Sequence, residues 1–153
     1  MDKLSQDRAA RLIVQLLRGF YWFDEGLQAY LRQKGWPSVT RSQSMLMISV
    51  LLGARRPSQI ARALGVSRQA IHTSLNGMIE LGILSLADDP EDGRSKIVVI
   101  TGQGGRMREN ADEAMRLMAE ELARRIGQEN LAALAQALSA DWGPPLDRFD
   151  DGS

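Results

Sequence analysis

Apolar residues recur every three to four positions over residues 9–34. Leu12, Leu16, Phe20, Phe23, Leu27 and Leu31 form one stripe, and Ile13, Leu17 and Tyr21 form a second. That spacing predicts a long helix. Its apolar surface is wider than one face, which calls for more than one packing partner. Lys34 and Gly35 supply a basic last turn and a stop. After the connector Trp36-Pro37-Ser38, residues 41–52 predict a second apolar helix, with Met45, Ile48 and Leu52 facing inward and Gly53 ending it. Arg55-Arg56 reads as an exposed link or a short strand.

Pro57 suits the first position of a third helix, Pro57 to Leu64, because the amide hydrogen it lacks would be orphaned there. Gly65 stops that helix and Val66 turns. Ser67 is the expected N-cap of a fourth helix, Arg68 to Leu81. Ile71, Leu75 and Met78 form its inward stripe, while Arg68, Gln69, His72, Thr73 and Asn76 face outward. Gly82 ends it. Two strands are expected at Ile83–Ala87 and Lys96–Thr101, joined by an Asp-, Pro- and Gly-rich turn over Asp88–Ser95. Thr101-Gly102-Gln103-Gly104-Gly105 is expected as a flexible exit; it lacks a Walker lysine and a surrounding βαβ unit, so it is no phosphate loop. A long helix over 104–126, with Met107, Ala111, Ala114, Met118 and Leu122 on a stripe, and a short one over 129–141 close the chain before a frayed tail, LDRFDDGS. The expected class is mostly α with a small β-hairpin: a winged helix-turn-helix flanked by N- and C-terminal dimerisation helices. The corresponding divisions are 1–37, 38–103 and 104–153, within one domain overall.

Composition narrows the chemistry. The 153 residues are 44% hydrophobic and 25% charged, enough for a sizeable core. Cysteine is absent, which excludes disulfides, thiolate metal sites and cysteine nucleophiles. His72 is the only histidine, and the carboxylates form no catalytic pairing, so an enzyme and a resident cofactor are not expected. The N-terminus carries charges throughout, and the longest apolar stretch, Met45–Ala54, is interrupted and short; the expected location is cytoplasmic, with no membrane partner. Net charge is zero, but its distribution is uneven. Residues 38–108 hold nine Lys/Arg and five Asp/Glu, whereas residues 109–153 hold four and ten. A basic centre suits a phosphate-facing lobe.

A helix-turn-helix followed by a hairpin can reach two adjacent grooves of double-stranded DNA. The major groove admits one helix, and Gln69, Asn76 and Arg68 are the residue types that read base edges there. Ser67 suits a phosphate, and His72 and Thr73 share the exposed face. Arg94 and Lys96 project from the hairpin, where an arginine can enter the minor groove. Asp92 could orient the Arg94 guanidinium through a bidentate pair. A helical hairpin with a solvated face remains the alternative for the first element, and a solvated charged turn for the second.

Together, Gln59-Ile60-Ala61, Leu64-Gly65-Val66-Ser67, Met78, Leu81-Gly82-Ile83-Leu84, and Asp89-Pro90-Glu91-Asp92-Gly93-Arg94-Ser95-Lys96 closing on Ile100-Thr101 and Gly104 carry a resemblance. Residues 40–104 resemble the winged-helix region of the multiple-antibiotic-resistance regulator (MarR) family. The resemblance implies a homodimer on a pseudo-palindromic operator, usually a repressor, in many members released by a small aromatic or phenolic ligand. It also implies that Asp92 and Arg94 are the wing's charged pair. The sequence departs from the pattern where the fourth helix usually carries basic residues, here Thr73 and Gly77, and where an acidic residue follows Met78, here Ile79. Arg41, Arg55, Arg56 and Arg62 are then the alternative sources of phosphate contacts. In such a family the effector pocket lies between the dimerisation helices and the lobe, so Tyr21, Trp22, Tyr30 and Trp36 are candidate pocket residues; dimer core is their other reading. The competing function is a winged-helix protein-interaction module that binds DNA weakly or not at all.

Overall fold

Local capping chemistry sets most of the element boundaries. The computed structural model describes residues 11–145 and 147. In chain order the described residues form α1 (Leu12–Gln33), α2 (Arg41–Leu51), α3 (Pro57–Leu64), α4 (Arg68–Glu80), β1 (Leu84–Asp89), β2 (Asp92–Ile100), α5 (Gly102–Ile126) and α6 (Gln128–Ser139). The expected start of α1 at residues 9–10, and the tail apart from Asp147, lie outside the described residues. At α2, Thr40 Oγ1 accepts from the Gln43 amide and Gln43 Oε1 from the Thr40 amide, a reciprocal capping box. At α4, Ser67 Oγ accepts from the Ala70 amide at 3.1 Å, the expected N-cap. Gly65 turns the chain between α3 and α4 at φ +63°, a left-handed conformation that glycine enters without a steric penalty.

The chain divides into two compact units, one ending at Met118 and the other starting at Ala119. In the first, Leu31, Leu46, Ile60, Ile71, Leu75, Met78, Ile83, Leu84, Val98 and Met107 form one buried cluster. The C-terminal end of α1, the helix-turn-helix, the hairpin and the start of α5 therefore share a core. The inward stripe expected for α4 is the observed one. The face expected for α2 is not. Its buried residues are Gln43, Ser44, Leu46 and Ser49, whereas Leu52 is 84% exposed and Ile48 lies at the surface. Polar atoms can occupy this face because they find partners: Gln43 closes the capping box and Ser44 Oγ accepts from Gln28 Nε2 at 3.1 Å.

The hairpin also differs from expectation. Its strands are antiparallel and run on to Asp89 and back from Asp92, leaving only Pro90 and Glu91 between them. Arg55 forms no strand among the described elements; its carbonyl accepts one bond, from the Val98 amide at 2.8 Å.

The glycine-rich segment is no flexible exit. Gly102 opens α5, and Thr101 Oγ1 accepts from the Gly104 amide at 3.0 Å while donating to the Gly82 and Ile83 carbonyls. A Cβ on Gly104 would sit 2.2 Å from the Ile83 carbonyl oxygen, whereas one on Gly105 would meet open space. Gly104→Ala should therefore cost about 1–3 kcal/mol of unfolding free energy, as overpacking typically does. Gly105→Ala should be neutral or stabilising, given alanine's better helix propensity. Urea unfolding of the two variants checks this, and equal midpoints would contradict the tight junction.

In the second unit, Glu121 accepts from Arg124 and Arg125, and Trp142 Nε1 donates to the Ala137 carbonyl at 2.8 Å. α6 buries no residue, and Leu134, Leu138 and Trp142 are exposed. At the start of α1, Leu12, Ile13, Val14 and Leu17 are exposed as well. No helix among the described residues is long and apolar enough to cross a membrane.

Candidate nucleic-acid interface

Arg68, Gln69, His72, Thr73 and Asn76 lie exposed along α4, with Ser67 exposed at its cap. Thr73 Oγ1 donates back to the Gln69 carbonyl at 3.1 Å, leaving its lone pairs as acceptors. Gly77 is half-buried for a specific reason: a Cβ there would fall 2.6 Å from Gln43 Nε2. A basic side chain at that position requires Gln43, a capping residue of α2, to move. The thin basic character of α4 is thus tied to how α2 packs behind it.

A cleft of about 440 Å³ runs between the start of α3, the face of α4 and the wing. It is lined by Arg56, Pro57, Ser58, Arg68, His72, Arg94, Ser95 and Lys96. Four sequence-nominated residues, Arg68, His72, Arg94 and Lys96, meet here although two elements supply them. Ser67, Gln69, Thr73 and Asn76 do not line the cleft; they continue the exposed polar face along α4. Arg56 and Ser58 join the cleft without having been nominated as wing or recognition-helix residues.

The wing geometry explains how Arg94 is presented. Asp88 pairs with Lys96, but the next residue, Asp89, pairs with Asp92. Gly93, Arg94 and Ser95 therefore bulge out of the ladder. A bulge redirects side chains away from the sheet. Asp92 fixes this bulge in a way other than the expected one. Its Oδ1 accepts from the Arg94 amide at 3.2 Å and its Oδ2 from Ser95 Oγ at 2.8 Å. The carboxylate thus holds the backbone of Arg94 and forms no bidentate pair with the guanidinium, which has no ion-pair partner among the described residues. Lys96 is paired with Asp88, both exposed, so part of its charge is offset locally.

A second carboxylate ties the wing to the helix-turn-helix. Asp89 is 6% exposed, and its Oδ2 accepts from Arg56 Nε at 2.7 Å and lies 2.6 Å from Arg56 Nη2. Its Oδ1 accepts from the Glu91 amide at 3.0 Å. The Glu91 amide and then the Arg56 guanidinium hold the Asp89 carboxyl below its ordinary value of 3.8. A lowered carboxyl contributes its stability above that ordinary value and loses it only as pH falls, so the clasp is intact at neutral pH. Gln59 Oε1 accepts from both the Arg55 and Arg56 amides, fixing the backbone from which Arg56 reaches. Arg56 and Asp89 are 33 positions apart. Their only signal in the sequence is opposite charge, which many other pairs share.

The alternative cations divide. Arg41 is occupied: its Nε donates to Asp24 Oδ2 at 3.1 Å and its guanidinium lies 4.0 Å from the centre of the Tyr21 ring. Arg55 and Arg62 are exposed.

The candidate pocket residues do not form the pocket. An apolar cavity of about 350 Å³ is bounded by α1, α2 and α5, and Tyr21, Trp22, Tyr30 and Trp36 are not among its lining residues. Helical phase puts Phe20, Phe23, Leu27 and Leu31 on the cavity side of α1 instead. Tyr21 stacks under Arg41, Trp22 meets Phe23 edge-on, Tyr30 lies near Lys34, and Trp36 Nε1 donates to Asn110 Oδ1 at 2.8 Å.

Comparison with known proteins fits this geometry. Residues 38–95 match the model of the MarR family. No curated protein matches the sequence. Among solved structures, apo MarR from E. coli is 22% identical, with a TM-score of 0.64, covering 84% of this chain and 92% of that one. A transcriptional regulator from Thermotoga maritima is 23% identical, with a TM-score of 0.58 and coverages of 84% and 89%. The transcriptional regulator BldR from Sulfolobus solfataricus is 21% identical, with a TM-score of 0.61 and coverages of 91% and 99%. The lobe over residues 38–95 matches the MarR family model, and the fold is similar to the winged helix of those solved regulators.

Proposed function

We propose that this chain is a cytoplasmic, sequence-specific DNA-binding transcription regulator. It acts as a homodimeric repressor on a pseudo-palindromic operator and is released by a small ligand. In this reading residues 38–103 bind DNA, and residues 1–37 and 104–153 serve dimerisation. Arg68, Gln69, His72, Thr73 and Asn76 face the major groove, Ser67 a phosphate, and Arg94 and Lys96 the backbone or minor groove beside it. Asp92 and the Arg56–Asp89 clasp set the wing. The chain is a binding protein in this account, not an enzyme.

The observation that carries the reading is the cleft, where Arg56, Arg68, His72, Arg94 and Lys96 converge from α3, α4 and the wing. Cations converging on a groove-sized surface are what a phosphate backbone requires. Exposed Leu12, Ile13, Val14 and Leu17 on α1, and Leu134 and Leu138 on α6, support dimerisation. Two recognition helices about 34–36 Å apart would then reach successive major grooves. A ligand that prefers another spacing would shift the population away from the DNA-competent dimer. Titration of the full chain against a duplex from its own upstream region tests the reading. Binding in the nanomolar range is expected, as for specific regulators.

One observation favours the protein-interaction module. Two of the cleft's cations, Arg56 and Lys96, already face carboxylates, and Arg68 is the one strongly basic residue on the exposed α4 face. No detectable DNA binding at low salt would select that reading.

A further inference from the structure

Helical phase divides the exposed side of α4 into two strips. Ile71, Leu75 and Met78 point into the core, and Gln69, Thr73 and Asn76 lie on the opposite side at i, i+4 and i+7. Arg68 and His72 occupy the flank beside that strip, where they line the cleft with Arg94, Ser95 and Lys96 of the wing. Gln69, Thr73 and Asn76 stay outside the cleft. The cation of α4 is thus turned towards the wing. The strip that points away from the core carries no charge before Glu80, the last residue of the helix. Base contacts come from the N-terminal part of a recognition helix, so Glu80 falls beyond them.

The uncharged strip has a definite base chemistry. Bidentate pairing to guanine takes an arginine or lysine, and pairing to the cytosine amino group takes a carboxylate. Gln69, Thr73 and Asn76 supply neither. A glutamine or asparagine amide instead matches the neighbouring N7 acceptor and N6 donor of adenine. Neither amide is engaged by a protein partner among the described residues. Thr73 Oγ1 gives its hydrogen to the Gln69 carbonyl at 3.1 Å, so Thr73 offers a base only an acceptor and a methyl. A threonine methyl suits the C5-methyl of thymine. From Gln69 to Asn76 the helix advances about 10 Å, the rise of about three base pairs.

We infer that α4 reads a short run of A·T pairs, with adenines at Gln69 and Asn76 and a thymine methyl at Thr73. Arg68 meets the backbone beside the wing and carries no base preference. The inference rests on the proposed DNA-binding function and names the half-site that it reads. The scarcity of cations on α4 is then a choice of bases as well as a loss of phosphate contacts.

The test is selection of a randomised duplex library by the full chain, repeated with single variants of these exposed residues, each verified by a thermal melt. Gln69→Ala and Asn76→Ala should each relax preference at one pair per half-site by about tenfold, and both pairs should be A·T. Their salt slopes should match that of the unaltered protein. Arg68→Ala should keep the selected sequence and lower the log–log salt slope by about two, one phosphate per protomer. Deoxyuridine in place of thymine at the pair between them removes only the methyl. It should cost about fourfold per half-site, and nothing in Thr73→Ser, which keeps the hydroxyl. G·C pairs at the positions relaxed by Gln69→Ala or Asn76→Ala would overturn the inference and leave the DNA-binding reading standing. So would a base preference lost in Arg68→Ala, or a deoxyuridine cost unchanged in Thr73→Ser. No binding of any duplex at low salt would sink the DNA-binding reading, and this inference with it.

Discussion

Arg94→Ala should weaken binding to an operator duplex by about tenfold or more while leaving the dimer intact. It should also reduce the slope of log affinity against log salt by about two, one phosphate contact per protomer. The physical reason lies in the bulge. Gly93, Arg94 and Ser95 leave the ladder between the pairs Asp88–Lys96 and Asp89–Asp92, so the Arg94 side chain is not committed to the sheet. Its backbone is held by Asp92, its guanidinium has no ion-pair partner among the described residues, and it lines the same cleft as Arg68 and His72. Fluorescence anisotropy across a salt series, with sedimentation to verify the dimer, measures both effects. An unchanged affinity would remove the wing from the interface.

Asp89→Asn should produce the complementary result. The amide keeps the shape of the side chain and can still accept from the Glu91 amide, but it loses the charge that holds Arg56. The clasp joins the N-terminus of α3 to the wing at 2.6–2.7 Å, and the Val98 amide bond to the Arg55 carbonyl runs beside it. Without the clasp the wing samples more orientations, and each productive encounter must restore one. Affinity should fall by about tenfold, comparable to the loss of a contact, as expected when the competent fraction shrinks by that factor. The salt slope should stay at its original value, because no phosphate contact is removed. This difference separates a positioning residue from a contacting one. A slope that falls as it does for Arg94→Ala would mean that the clasp holds Arg56 itself against a phosphate. A thermal melt should show a modest loss of stability, since a nearly buried carboxylate leaves Arg56 without its partner.

Elements governed by local chemistry were legible from the chain. Pro57, Gly65 and Ser67 delimit α3 and α4 through missing donors, left-handed backbone and a hydroxyl cap, all of which act within a few residues. The stripe Ile71, Leu75 and Met78 was readable because that face of α4 is purely apolar. The face of α2 was not, because Gln43, Ser44 and Ser49 are buried while Leu51 and Leu52 are exposed. Apolar periodicity cannot register a polar face whose partners come from Gln28, 16 residues away, or from a capping box. Asp24 was hidden in the same way, a charged residue buried on a stripe that reads as apolar. The aromatic cluster misled in the opposite sense: Tyr21, Trp22, Tyr30 and Trp36 attract attention by size, but the phase of α1 turns Phe20 and Phe23 into the cavity. At the candidate interface, exposure of the α4 residues followed from helical spacing. The hairpin's bulge and its clasp to Arg56 depend on strand register and on contact across 33 residues, which no local pattern encodes.

The most direct test of the central claim, that α4 and the wing form a DNA-reading surface, is the salt dependence of binding to a duplex from the gene's own upstream region, measured beside a scrambled duplex. The account predicts affinity for the cognate duplex at least about a thousandfold above the scrambled one. It also predicts a log–log salt slope of several units, set by the paired cations of two protomers. Equal affinity for both duplexes, or no binding even at low salt, would contradict it.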